Sequence, residues 1–123
     1  MVFSDILKAE KQCKLQARSS AWIADYPDGD NFMQLFYGPN THQNNNGCYQ
    51  DPQFDAWYVE SKTMGDSPER NRLYHKMARQ LEVNAGVLIG YARYRNMLAQ
   101  PSVLGYKKHP ILGQEWQYID IKN

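Results

Sequence analysis

An α/β fold, a short sheet with packed helices in one domain over residues 1–123, follows from three observations. Leu15 to Ala24 is poor in charge and alternates Leu15, Ala17, Ser19, Ala21 and Ile23 with Gln16, Arg18, Ser20 and Trp22, the period of a strand. Two helix starts stand close together, at Asp51-Pro52 and at Asp66-Ser67-Pro68-Glu69. Two later runs, Val87 to Leu98 and Trp116 to Ile121, read as further strands. The order helix, strand, helix, helix, helix, strand, strand is that of an α/β chain, and no internal boundary interrupts it.

The first element is a short helix from Ser4 to Lys11, with a cap residue followed by good helix formers. The strand from Leu15 follows and ends at Pro27-Asp28-Gly29-Asp30-Asn31, a cluster of turn formers. Phe32, Leu35 and Phe36 then recur at helical spacing, with Asp28 or Asp30 as cap, and Gly38-Pro39 ends that helix. Asn40 to Gly47 is polar and rich in Asn, a surface turn by composition. The helix from Asp51 carries Phe54, Trp57 and Tyr58 on one stripe and stops at Met64-Gly65. The helix from Asp66 places Leu73, Tyr74, Met77, Ala78 and Leu81 on one face, so the two form a docked hairpin. After Asn84-Ala85-Gly86, the run from Val87 begins as a buried strand and ends before Pro101; Val103 to Lys108 is extended, and His109-Pro110 is a corner.

Fourteen basic and 13 acidic side chains leave a net charge of +1, which disfavours a nucleic-acid partner despite Arg93-Tyr94-Arg95 and Lys107-Lys108-His109. The three histidines are scattered without a carboxylate partner at ligand spacing, so no metal and no cofactor are expected. No phosphate loop or nucleophile elbow is present, and Asp28 with Asp30 reads better as helix capping than as an acid and base pair. A non-enzyme is expected. Met1 to Asp5 lacks the basic and apolar regions of a signal peptide. Cys13 and Cys48 either bridge, if the protein is exported, or sit as two buried free thiols, the state composition favours slightly.

Candidate site residues gather where the first strand meets its helix, a junction at which α/β folds collect ligand groups. They are Asp25 and Trp22, with Ala24 and Tyr26 beside them. Trp22, Ala24-Asp25-Tyr26-Pro27-Asp28 and Asn31-Phe32 carry a resemblance, extended by Asp51-Pro52-Gln53-Phe54-Asp55, Ser67-Pro68-Glu69-Arg70, Leu73-Tyr74, Pro101, Gly105-Tyr106 and Trp116 to Ile121. In order and spacing these pieces resemble the C-terminal part of the family 5 extracellular solute-binding proteins of ABC importers, the oligopeptide- and dipeptide-binding type.

The resemblance implies a fragment of the C-terminal lobe of a periplasmic binding protein-like fold of type II, cluster C, without the N-terminal lobes. It implies a periplasmic location, a peptide or other amine-bearing solute as ligand, and an ABC permease as partner of the full receptor. In that family the Asp of the Trp-x-x-Asp segment pairs with the ligand's ammonium and the Trp walls the pocket, roles that pass to Asp25 and Trp22. Two departures bear on the ligand class. Ser19 stands where some relatives have an Arg, with Arg18 on the opposite strand face, and Gly29 replaces a Pro. The surface that would meet the missing lobes favours self-association. The alternative is a stand-alone small interaction domain that kept the fold and lost transport.

Overall fold

The computed structural model describes residues 2–94, 96–108, 111 and 116–122. Its best-formed helices start where the capping residues put them. Asp51 accepts hydrogen bonds from the backbone N–H of Gln53 (2.8 Å) and Phe54 (3.2 Å), and Pro52 occupies the first position of a helix over Pro52–Thr63. Ser67 does the same for Arg70 N–H at 3.2 Å, opening a helix over Pro68–Val83. In chain order the helices are α1 (Phe3–Lys11), α2 (Asp30–Met33), α3 (Pro52–Thr63) and α4 (Pro68–Val83). Past α4, Gly86 N–H closes back on Leu81 O at 2.9 Å and Ala85 takes a left-handed φ of 52°.

The apolar stripes of α3 and α4 meet as expected. Phe54, Tyr58, Tyr74, Met77 and Leu81 are the buried core. Trp57 stays half-buried under the Lys76 ammonium, 4.1 Å from its ring centre, a cation–π contact that keeps the charge in water. The segment after α2 adds aromatic edges to this core: Phe36 meets Phe54 edge-on at 6.5 Å, and Tyr37 lies 4.6 Å from Tyr58.

Other elements differ from the sequence reading. α1 begins at Phe3 with Val2 as N-cap and no side-chain cap, so Ser4 does not serve. The helix expected from Asn31 to Gly38 is a single α-turn that tightens into 3-10 turns at Gln34–Phe36 and Gly38–Asn40. The Asn-rich turn is not all surface: Asn45 is fully buried, donating to Tyr37 O (3.1 Å) and Tyr49 O (2.7 Å) and accepting from Tyr49 N–H (3.1 Å). The same loop meets the end of α1, with His42 Nδ1 2.6 Å from Lys11 O. Cys13 and Cys48 form a disulfide, Cα atoms 5.7 Å apart, and are not two free thiols.

The expected α/β balance also shifts. Among the described residues no strand forms over 15–24 or 87–98, and the chain is α-rich with a two-stranded sheet. Leu88 and Leu98 are 96% and 99% exposed, the reverse of a buried strand. An apolar alternating run becomes a strand only when a neighbour completes its backbone hydrogen bonds, and here no such neighbour is present among the described residues. The sheet pairs β1 (Val103–Leu104) antiparallel with β2 (Asp120–Ile121), with Val103 opposite Ile121 and Leu104 opposite Asp120. Of the closing strand expected from Trp116, the first part is a 3-10 turn at Trp116–Tyr118. The corner at His109-Pro110 and the basic residue Arg95 lie outside the described residues. Two units result, Met1–Leu88 with the four helices and Ile89–Asn123 with the sheet. No described helix is long and apolar enough to cross a membrane.

Candidate functional site

The turn between the extended segment 15–25 and α2 is clamped onto α4 by one carboxylate. Asp28 accepts the Asp30 backbone N–H at 2.8 Å, but the N-cap of α2 is Gly29 and no side chain caps it, so neither Asp28 nor Asp30 takes the capping place expected of them. Asp28 also accepts from the Arg70 guanidinium at 2.6 Å and the Tyr74 hydroxyl at 3.2 Å. Burial opposes ionisation of Asp28, but the Arg70, Asp30 and Tyr74 hydrogen bonds outweigh it and hold its carboxyl below the usual range. The Asp28 contact in turn raises Arg70, whose Nε–H donates to Ser61 O at 3.0 Å. Close approach of the turn to α4 depends on Gly29: a Cβ there would stand 2.7 Å from Tyr74 Cδ2.

Trp22 and Asp25, two of the four residues singled out from the sequence, are brought together by a third side chain. Asn31 is 0% exposed. Its Oδ1 accepts from Trp22 Nε1–H (2.7 Å) and from the Asp25 backbone N–H (3.2 Å), and its Nδ2 donates to Asp25 Oδ2 at 3.4 Å. Trp22 is 41% exposed and Asp25 is exposed, so indole and carboxylate both face solvent. Among the described residues no cation pairs with Asp25.

Tyr26 turns elsewhere. Its hydroxyl donates to Asp30 Oδ2 at 2.6 Å, and that bond, followed by burial, raises its pKa. Burial and then the same Asp30 carboxylate push the Tyr58 hydroxyl up. Ala24 is half-buried between Ile23 and Asp25 and adds no side-chain hydrogen bond. Arg18 forms an ion pair with Glu10, which is buried, and so is committed to α1. Asn31, Arg70 and Tyr74 are the residues that sequence reasoning passed over as site builders. For Asn31 a signal existed: a two-way amide six positions after Asp25, inside the same motif.

An exposed carboxylate and a 41% exposed tryptophan that share one buried amide suit a cation, by charge and by the ring quadrupole together. No family model matches the chain. Over 100 residues, 81% of the chain, it is 26% identical to the periplasmic oligopeptide-binding protein of Salmonella typhimurium, and equally to that of Escherichia coli. Over 123 aligned residues, 99% of the chain, it is 28% identical to the dipeptide-binding protein of Bacillus subtilis. The chain spans about a fifth of the length of these curated relatives, 18% of the first two and 21% of the third. The likeness is distant and covers a fragment, and it agrees with an α-rich piece of a binding-protein fold.

Proposed function

We propose that the chain forms one wall of a peptide-binding receptor for ABC-transporter import, the C-terminal portion of a family 5 periplasmic solute-binding protein with the type II, cluster C fold. The observation that carries this reading is the exposed Asp25 carboxylate, paired with no cation among the described residues and joined to the Trp22 indole through the buried Asn31. Asp25 anchors the ammonium of a peptide or similar solute, and Trp22 forms the side wall. A charge-assisted hydrogen bond of this kind contributes about 1.5 to 3 kcal/mol, and an indole beside the ammonium about 0.5 to 2 kcal/mol. Ala24 and Tyr26 line the same turn. No bond is made or broken.

Further support comes from the disulfide, which fits an oxidising compartment such as the periplasm. The similarity to peptide-binding proteins in both comparisons with periplasmic receptors points the same way. In the full receptor, lobes close around the solute by hinge motion and the membrane permease reads the closed form. Exposed apolar residues such as Ile23 and Leu88 suit a surface that packs on further lobes, and in isolation they favour self-association.

Calorimetric titration tests the proposal. The chain is titrated with a di- to pentapeptide pool alone and mixed with a separately produced N-terminal portion of the Bacillus subtilis relative, each with and without Asp25→Ala. Binding that appears only in the mixture and disappears with Asp25→Ala supports a receptor wall anchored at Asp25. A folded chain that binds in neither setting leaves the stand-alone interaction domain as the better account.

A further inference from the structure

The residues that face solvent at this site sit on a segment with no framework of its own. Among the described residues, 15–25 belong to no helix or strand and make no backbone–backbone hydrogen bond. Neither Trp22 nor Asp25 is part of the apolar cluster formed by α3, α4 and the residues packed on them. Among the described residues, the hydrogen bonds that reach residues 22–25 all involve Asn31. Asn31 itself is fixed: it lies in α2, its backbone N–H bonds to Asp28 O at 3.2 Å, and Asp28 is clamped to α4 by Arg70 and Tyr74.

The chemistry explains why an amide occupies this position. Trp22 Nε1–H and the Asp25 N–H are donors only, so the group facing them must be an oxygen with two lone pairs. Asp25 Oδ2 is an acceptor, so the group facing it must be a donor. One amide meets both requirements and its orientation is thereby settled. A carboxylate would satisfy the first requirement and repel Asp25; a hydroxyl would be too short to span all three.

We infer that Asn31 is the positioning residue of this site: a single buried amide couples the Trp22 indole to Asp25, so that a cationic group meets a preset pair rather than two side chains moving independently. What the pair binds rests on the function proposed above; the tether does not. Holding the pair in advance removes ordering cost at the moment of binding, so loss of the tether lowers affinity even with Asp25 and Trp22 intact.

The experiment reads nuclear magnetic resonance signals of the full 123-residue chain before any ligand is added. In the wild type the Trp22 indole proton, assigned by its loss in Trp22→Phe, exchanges with solvent more slowly than a free indole, and the Asp25 side chain populates one rotamer. Asn31→Ala frees the indole and the Asp25 amide while the amides of α3 and α4 stay protected. Asn31→Asp keeps both accepted bonds but lets the Asp25 side chain average between rotamers. A wild-type indole that exchanges as a free one, or an Asp25 rotamer that is the same in Asn31→Asp as in the wild type, overturns the inference, and neither result needs Asn31→Ala to fold. In the peptide-binding mixture, Asn31→Ala lowers affinity about tenfold, the scale of one or two neutral hydrogen bonds. A wild-type mixture that binds no peptide sinks the receptor reading alone, and the indole and rotamer signals still decide the role of Asn31.

Discussion

Replacing Asp51 tests how the helical unit is held together. This buried carboxylate caps α3 through Oδ1, at 2.8 Å from Gln53 N and 3.2 Å from Phe54 N. Through Oδ2 it accepts from the Tyr49 hydroxyl (3.0 Å), Gln80 Nε2 (2.8 Å) and Asn84 Nδ2 (2.7 Å), the last two at the far end of α4. Asp51→Ala removes the cap, which costs about 1 kcal/mol, and the charge-assisted bonds, which add about 1.5 to 3 kcal/mol before Asn84 and Gln80 turn to water. A net loss of about 2 to 3 kcal/mol is expected, or about 10 to 20 °C in Tm for a unit of this size. Asp51→Asn keeps the Oδ1 cap but presents its NH2 to three donors; flipping of the Gln80 and Asn84 amides recovers part of this, leaving about 1 to 2 kcal/mol. Urea unfolding followed by far-ultraviolet circular dichroism measures both, because α3 and α4 dominate that signal. If Asp51→Ala changes stability by less than about 0.5 kcal/mol, the range of an ordinary surface change, the reasoning is refuted.

Three further outcomes follow from the same structure. Reducing the Cys13–Cys48 bridge, whose partners are 35 residues apart, lowers stability by about 4 kcal/mol in the loop-entropy treatment; a urea midpoint unchanged by reductant would contradict this. Gly29→Ala forces the Tyr74 ring away from a Cβ that would stand 2.7 Å from it, costing about 1 to 3 kcal/mol, and a neutral result by thermal unfolding would mean that the turn lifts off α4 freely. Stability falls at both ends of the pH range. Asp28 and Asp51 have lowered folded pKa values, so their contribution is present above about 3.9 and is lost as pH falls through the folded values. Tyr49, Tyr58 and Tyr74 are raised chiefly by burial, so theirs is present below about 10 and is lost as pH rises through the folded values. Unfolding midpoints across pH check both limbs; Asp28→Asn with Asp51→Asn should flatten the acid one and also weaken the alkaline one, because the two carboxylates help to raise Tyr74 and Tyr49.

Local chemistry made the helices legible. Asp51-Pro52 and Ser67-Pro68 place α3 and α4 because a cap and a first-turn proline act on their own neighbours within one turn. Periodicity then named the core, since Phe54, Tyr58, Tyr74, Met77 and Leu81 are the inward positions of those two helices whatever surrounds them. The candidate residues Trp22 and Asp25 were also readable as a motif.

The strands were not legible in the same way, because a strand exists only through a partner. Residues 15–24 and 87–98 carry strand-like patterns, yet nothing among the described residues pairs with them, and side chains such as Ile23, Leu88, Ile89 and Leu98 stand in solvent. Likewise, Cys13 and Cys48 could be counted in the sequence, but their approach depends on the fold of the Asn-rich loop, which Asn45 brackets and which meets the end of α1 where His42 Nδ1 lies 2.6 Å from Lys11 O. The caps and inward faces of α3 and α4 are properties of neighbours along the chain, so the sequence determined them by itself, whereas the side-chain caps expected for α1 and α2 do not form. Strand pairing, the disulfide and the Asn31 tether between Trp22 and Asp25 join groups whose approach depends on how the chain turns, and only the tertiary structure decided those.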